Sequence, residues 1–399
     1  MKRTSLLILF SLLFACKDVD ENQIRRLGTP SSAKSQAPYL FKDGHDQIFL
    51  SWIEEANDMA YLKISQLQNN NWSDAITISS GTDWFINWAD YPIGATDGNG
   101  NFIQSLLVKS GNSTYAYDVK LFTSNNSIDW SAPKLLHHDS TQTEHGFVSM
   151  LPYENGFLAA WLDGRNTAGN DHPTHNHDHN QHAGAMTLRA AILDTNAQKI
   201  MEWELDDRVC DCCQTTAALT SKGPVVIYRN RSDEEIRDIY ISRLIDNNWT
   251  NPQSIYNDNW EVFGCPVNGP RADALANTLG IAWFTAANDN AQVKVIFSKD
   301  AGATFAPPIV ISENEAIGRV DLVMLDEESA MISWMEGKEI KAMRVNSNGQ
   351  TEKPLVISTS TAKRASGFPQ MLKAGDRIIF AWTDEEEGII KTANLSIKK

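Results

Sequence analysis

The 399-residue chain has no long stretch with the three-to-four-residue apolar spacing of a helix, which argues against a helical bundle and against alternating strand–helix units. It also lacks an excess of positive charge. Its 35 Lys and Arg face 50 Asp and Glu, a formal charge of −15, so nucleic acid and anionic membrane surfaces are disfavoured as partners. The leading apolar run, Leu6 to Phe14, is too short to span a bilayer. Cysteine is scarce, with five residues in all, and four of them fall within one 56-residue interval.

What is abundant is the vocabulary of strands and tight turns: Gly, Asn, Asp, twelve Trp and a hydrophobic content of 42%, enough for a large core. The clearest unit runs from Leu279 to Ile311. An apolar run (Leu279 to Phe284) is followed by a polar loop, an alternating run (Val293, Val295, Phe297), a tight turn and a short strand from Pro308. The turn carries Ser298, Asp300, Gly302, Thr304 and Phe305, in which the Asp can accept backbone N–H groups, the Gly can supply positive φ and the aromatic can pin the hairpin. That pattern resembles the Asp-box of the sialidase (BNR-repeat) superfamily, whose implied fold is a β-propeller. The box is structural and says nothing of catalysis.

The N-terminus reads as a targeting segment. Lys2 and Arg3 precede the apolar run, which ends in Leu13-Phe14-Ala15-Cys16. This resembles a bacterial lipobox, with Phe14 a departure, and an ordinary secretory signal is the plainer reading. Residues 1–15 are then a signal peptide, Cys16 carries lipid, and 16–36 form a tether. Lys17-Asp18-Val19-Asp20-Glu21 resembles the tag of surface-exposed lipoproteins. Removing Lys2 and Arg3 takes the charge from −15 to −17, so attachment would come from acyl chains and not from a basic patch. The expected location is the outer membrane of a bacterial envelope, with the remainder exposed outside.

An apolar-then-aromatic motif recurs through the rest: Ile48–Trp52, Phe157–Trp161, Val225–Tyr228, Leu279–Trp283, Ala330–Trp334 and Ile378–Trp382, with Phe102–Leu107 filling the gap. A fixed period near fifty residues means repeats, here an all-β propeller of four-stranded antiparallel blades over residues 37–399. Seven blades are expected, a departure from the six of true sialidases, and six stays open if one unit is irregular. The last unit has three strands, so Gln23–Leu27 is expected to supply the fourth.

Loops of such blades alternate faces. The short Gly turns and the Asp-box fall on one face, and everything long or chemically unusual falls on the other, where ligand sites lie on a rigid scaffold. Cys210, Cys212, Cys213 and Cys265 read either as disulfides fastening two crossovers or as a thiolate metal or redox site. His172, His175, His177, His179 and His182 suit copper or zinc, or form a solvated loop with incidental affinity. Arg165, Arg229, Arg231 and Arg271 are the groups that would hold a carboxylate, with Asp163 and Asp233 as companions or as ordinary loop braces. Trp84, Trp88 and Trp260 offer flat surfaces for sugar rings, although a core position is the commoner fate of Trp.

The resemblance would imply three Arg, a Tyr/Glu nucleophile pair and an Asp acid/base. The first strand, however, has Ala37-Pro38-Tyr39-Leu40 where an Arg motif belongs, and no Tyr/Glu pair stands out. The expectation is a monomeric envelope propeller binding an extracellular glycan. A sialidase-like hydrolase and a copper- or zinc-binding protein are the alternatives.

Overall fold

The structure is a computed structural model describing residues 24–168, 184–313 and 315–397. It is a seven-bladed β-propeller, each blade an antiparallel sheet of four principal strands. Blades one to six span Ser35–Gly81, Gly94–Leu135, His145–Asp206, Thr216–Ser254, Arg271–Glu313 and Ala316–Thr359, and small added strands give blades one and four a fifth member. Blade seven takes three strands from Gln370–Ser396 and its outermost strand from Arg25–Leu27, paired antiparallel to the last strand through Arg25↔Asn394 and Leu27↔Thr392. The expected closing strand is therefore in place, and Gln23 lies outside the described residues. Innermost strands of successive blades contact one another around the ring, blade seven against blade one included.

Every recurring motif forms the second strand of its blade, and the aromatic at its end is the reason the period is visible. Trp52, Trp161, Trp283, Trp334 and Trp382 are all fully buried between blades. Strand register places a basic residue opposite each: Lys63, Arg189, Lys294, Lys341 and Lys391. An indole buried among apolar neighbours needs an acceptor for its N–H. In four blades the acceptor is a carboxylate: Glu54 (3.5 Å), Asp163 (2.8 Å), Asp258 (2.7 Å) and Glu336 (3.1 Å). The opposing base then pairs with the acid in three of them: Lys63 with Glu54 (3.0 Å), Lys294 with Asp258 (2.6 Å) and Lys341 with Glu336.

On the short-turn face, the Ser298–Phe305 turn locks itself. Asp300 accepts from Thr304 N (2.9 Å) and Thr304 Oγ1 (2.7 Å), while Ser298 Oγ accepts from Gly302 N (2.8 Å). Gly302 sits at φ 79°, where a side chain would be strained. Burial opposes ionisation of Asp300, but these bonds outweigh it and lower its pKa to about 2.

Replacing Trp283 with Ala removes a fully buried indole and leaves the Asp258–Lys294 pair uncovered. The expected loss of stability is about 3–5 kcal/mol, read as a shift in urea midpoint.

Candidate functional site

The crossovers and the loops between second and third strands all open on the face opposite the short turns. Three groups of chemically active side chains gather there.

The first is built by the crossover from blade three to blade four. Cys210 N donates to Arg229 O (3.0 Å), which folds Cys210-Asp211-Cys212-Cys213 back over blade four. Gln214 ties this loop to two others, donating to Ala89 O (2.6 Å) and accepting from Gly269 N (2.9 Å). The sulfur of Cys210 lies 3.5 Å from that of Cys213 and 3.9 Å from that of Cys212. None of the four cysteines is in a disulfide, Cys210 and Cys213 are buried, and Cys265 is exposed. The side chain of Cys265 bonds to Cys212, so the two crossovers do meet on one rim. The Cys210 sulfur meets those of Cys212 and Cys213 as thiol contacts, well beyond the ~2.05 Å of a disulfide bond.

A guanidinium outside the four candidate arginines completes this group. Arg237 donates to Cys210 Sγ (3.3 Å) and to Glu235 Oε2 (2.7 Å). Burial raises the pKa of the Cys210 thiol, but bonds from Cys212 and Cys213 and the charges of Arg237 and Arg229 win and hold it well below the usual value. Burial pushes Cys213 the other way.

The second group is centred on Tyr117 and Glu144, a pair the sequence did not reveal because Tyr117 begins a strand of blade two and Glu144 lies in the crossover to blade three. Tyr117 OH donates to Glu144 Oε1 (2.6 Å), and Phe85 stacks over the Tyr117 ring at 4.0 Å. Burial first, then the nearby Asp211, Asp90 and Cys265, pushes Glu144 up to about 8. Asp90, also buried, reaches about 8 and accepts from Phe147 N (2.9 Å), while its other oxygen has no partner among the described residues. Gly146 permits that approach, since a Cβ there would lie 2.0 Å from Asp90 Oδ2. Burial favours the neutral form of both carboxyls. Burial, then the charge of Glu144, holds the pKa of Tyr117 well above the ordinary value, so the phenol keeps its proton in this hydrogen bond.

The third group joins His137 and His145, whose rings stack at 3.6 Å, with Asp118, Asp139, Asp163 and Arg165. His137-His138-Asp139 and Glu144-His145 were a visible signal in the sequence, passed over beside the richer histidine loop. Burial, then the charge of His145, lowers His137 to about 4. Two sets of side chains on this face bring donor atoms within 4.8 Å of one another and could hold a metal: the Cys210, Cys212, Cys213 thiols, and His145 with His137 and Asp118 or with Asp139 and Asp163. His172, His175, His177, His179 and His182 lie outside the described residues.

The four candidate arginines do not converge. Arg165 forks onto Asp163 (2.7 Å) and reaches Glu202 (3.3 Å). Arg229 donates to the carbonyls of Asn268 (2.8 Å), Arg237 (2.6 Å) and Phe284 (2.8 Å). Arg231 pairs with Glu235 (2.7 Å) and Asp211 (3.2 Å). Arg271 lies near the axis, donating to Tyr91 OH and Gln370 Oε1 (3.4 Å). Asp233 pairs with Arg208 at 3.3 Å and not with any of the four, and Asp238 accepts from Asn259 N and Trp260 N. All four guanidinium groups have partners within the protein. Trp88 packs on Phe368 (5.6 Å between centroids) under Arg319, and Trp260 is buried beneath Arg229. Trp84 borders a groove of ≈ 570 Å³ between blades one and two.

The fold is a seven-bladed β-propeller. No family model matches the chain, and no curated protein sequence does. Among solved structures, the α-L-arabinofuranosidase of Fusarium graminearum aligns with TM-score 0.51 and 9% identity over 94% of this chain and 98% of that one. The α-L-arabinanase of Penicillium chrysogenum gives 0.50 and 9% over 95% and 98%. A Hadza microbial sialidase gives 0.45 and 12% over 77% of this chain, which spans 64% of that sialidase. At these identities the likeness is one of fold.

The raised pKa values of the two carboxyls set an expected pH dependence. A carboxyl with a raised native pKa binds its proton more tightly folded than unfolded, so its contribution is full below the unfolded value of ~4 and is lost as pH rises to about 8. Urea unfolding should show wild type losing stability across that window. Glu144→Gln and Asp90→Asn should each flatten the slope, with the largest relative gain at the alkaline end.

Proposed function

We propose that this chain is a lipid-anchored envelope propeller that binds an extracellular glycan on its loop-rich face. The groove between blades one and two carries the glycan reading. It is lined by Trp84, Phe85 and Ile86 together with the polar groups of Gln36, Glu55, Lys109 and Asn112. A sugar ring is divided in the same way, with a C–H face that packs on aromatic rings and an edge of hydroxyls that seek amides and carboxylates. Its volume, ≈ 570 Å³, suits a short oligosaccharide.

Binding is favoured over sialidase-type hydrolysis by the chemistry of the side chains around it. The arginines are engaged internally, and Tyr117 is buried beneath Phe85 with its hydroxyl bonded to Glu144.

The anchor is supported by the Cys16 lipobox and by the direction of the closing strand. Arg25–Leu27 runs antiparallel to the last strand, whose Ile397 N bonds Asp376 O in the short-turn face, so the chain enters the ring from that face. A tether from Cys16 would leave the same way and turn the groove outward from the membrane.

Calorimetric titration of protein beginning at Lys17 with arabinobiose, sialyllactose and neutral oligosaccharides should find one class that binds. Phe85→Ala and Asn112→Ala should each weaken it about tenfold, ~1.4 kcal/mol. A wild-type protein that binds no member of a broad panel rejects the glycan reading. Separately, Cys16→Ser should release the full chain from the membrane pellet, and retention would reject the anchor.

A further inference from the structure

We propose that Cys210, Cys212 and Cys213 form a preorganised site for one soft, closed-shell metal ion, with Cys265 at its mouth. The site lies at the junction of blades three to five, away from the groove, and does not rest on the glycan reading.

Spacing is the first argument. Sulfurs bound at ~2.3 Å to one tetrahedral centre stand ~3.8 Å apart. The observed separations from Cys210, 3.5 and 3.9 Å, bracket that edge length, and all three sulfurs lie within 4.8 Å of one another. The second argument is the frame. Cys210 and Cys213 are 0% and 1% exposed, yet their neighbours are charged: Arg237 donates to Cys210 Sγ at 3.3 Å and is braced by Glu235. An apolar pocket would do for inert thiols. A guanidinium aimed at sulfur is the outer partner that a negatively charged thiolate–metal cluster requires. Rigidity is the third argument. The loop is pinned by Cys210 N to Arg229 O (3.0 Å) and by Gln214 to Ala89 and Gly269, so the sulfurs are held together with no ion needed to gather them.

Thiolate donors select monovalent copper or zinc over harder cations. Three sulfurs satisfy trigonal copper(I), whereas zinc needs a fourth ligand. Cys265, exposed and bonded to Cys212, is the residue able to swing in.

The test uses reduced protein beginning at Lys17, titrated anaerobically with copper(I) against bicinchoninate and, in parallel, with zinc(II) against a chromogenic chelator. We expect one equivalent of at least one ion, with an ultraviolet thiolate-to-metal band for copper(I), and metal-dependent protection of the three thiols from iodoacetamide. Cys213→Ser should weaken binding about a hundredfold, ~2.7 kcal/mol. Cys265→Ser should weaken zinc alone, which distinguishes the two ions. Replacing all five histidines of 172–182 by Asn should leave the site intact. If Cys213→Ser does not fold, thiol protection in wild type still decides. Absence of binding by both ions, unprotected thiols, loss of all binding in the histidine variant, or a disulfide among these cysteines in freshly isolated protein would each overturn the proposal.

Discussion

The structure depends on how a propeller blade can hide a tryptophan. The indole in five of the seven second strands fills the wedge between sheets, and leaving its N–H dry is costly. A carboxylate at the rim accepts that proton in four blades, and in three of them a lysine opposite the indole neutralises the carboxylate. Asp258 and Lys294 show how closed this arrangement is, with side chains 2% and 12% exposed at 2.6 Å. Packing, hydrogen bonding and ion pairing are thus settled together at the loop-bearing end of the sheets. In blade four Tyr228 takes the place of Trp and donates to Asp206, whereas the Trp382 N–H of blade seven has no acceptor among the described residues and Arg26 of the closing strand lies 4.7 Å from its ring.

Rigid blade ends let the loops above them specialise. Arginines that might have faced a ligand are spent on internal work: Arg229 collects three carbonyls from neighbouring loops, and Arg319 seals the region near the axis against Trp88, Ser366 and Gly367. Acids on innermost strands do similar work between blades, as Asp273 accepts from Met324 N and Asp321 from Met371 N. The groove beside Trp84 and the thiols near Cys265 lie on the loop-rich face.

Much of the architecture was legible because it repeats. The motif near Trp52, Trp161, Trp283, Trp334 and Trp382 marks second strands by burial alone, and burial is a local property of each strand's composition. The closing strand at Arg25–Leu27 followed from counting, since the last unit was one strand short. The assignment of loops to faces followed from the alternation of antiparallel strands, and that alternation brought Cys212 and Cys265 to one rim. The individual partners were not legible. Tyr117 with Glu144, Arg237 with Cys210 and Arg208 with Asp233 are settled by how far each loop leans, which no spacing encodes.

By itself, then, the sequence determined an all-β ring of repeated units with its unusual chemistry on one side, because apolar periodicity and turn residues act over a few positions and recur seven times. Only the tertiary structure decided what that chemistry is. Whether a guanidinium meets a carbonyl, a carboxylate or a thiol, and whether Glu144 is an acid or a base, depends on distances and desolvation between segments remote in the chain.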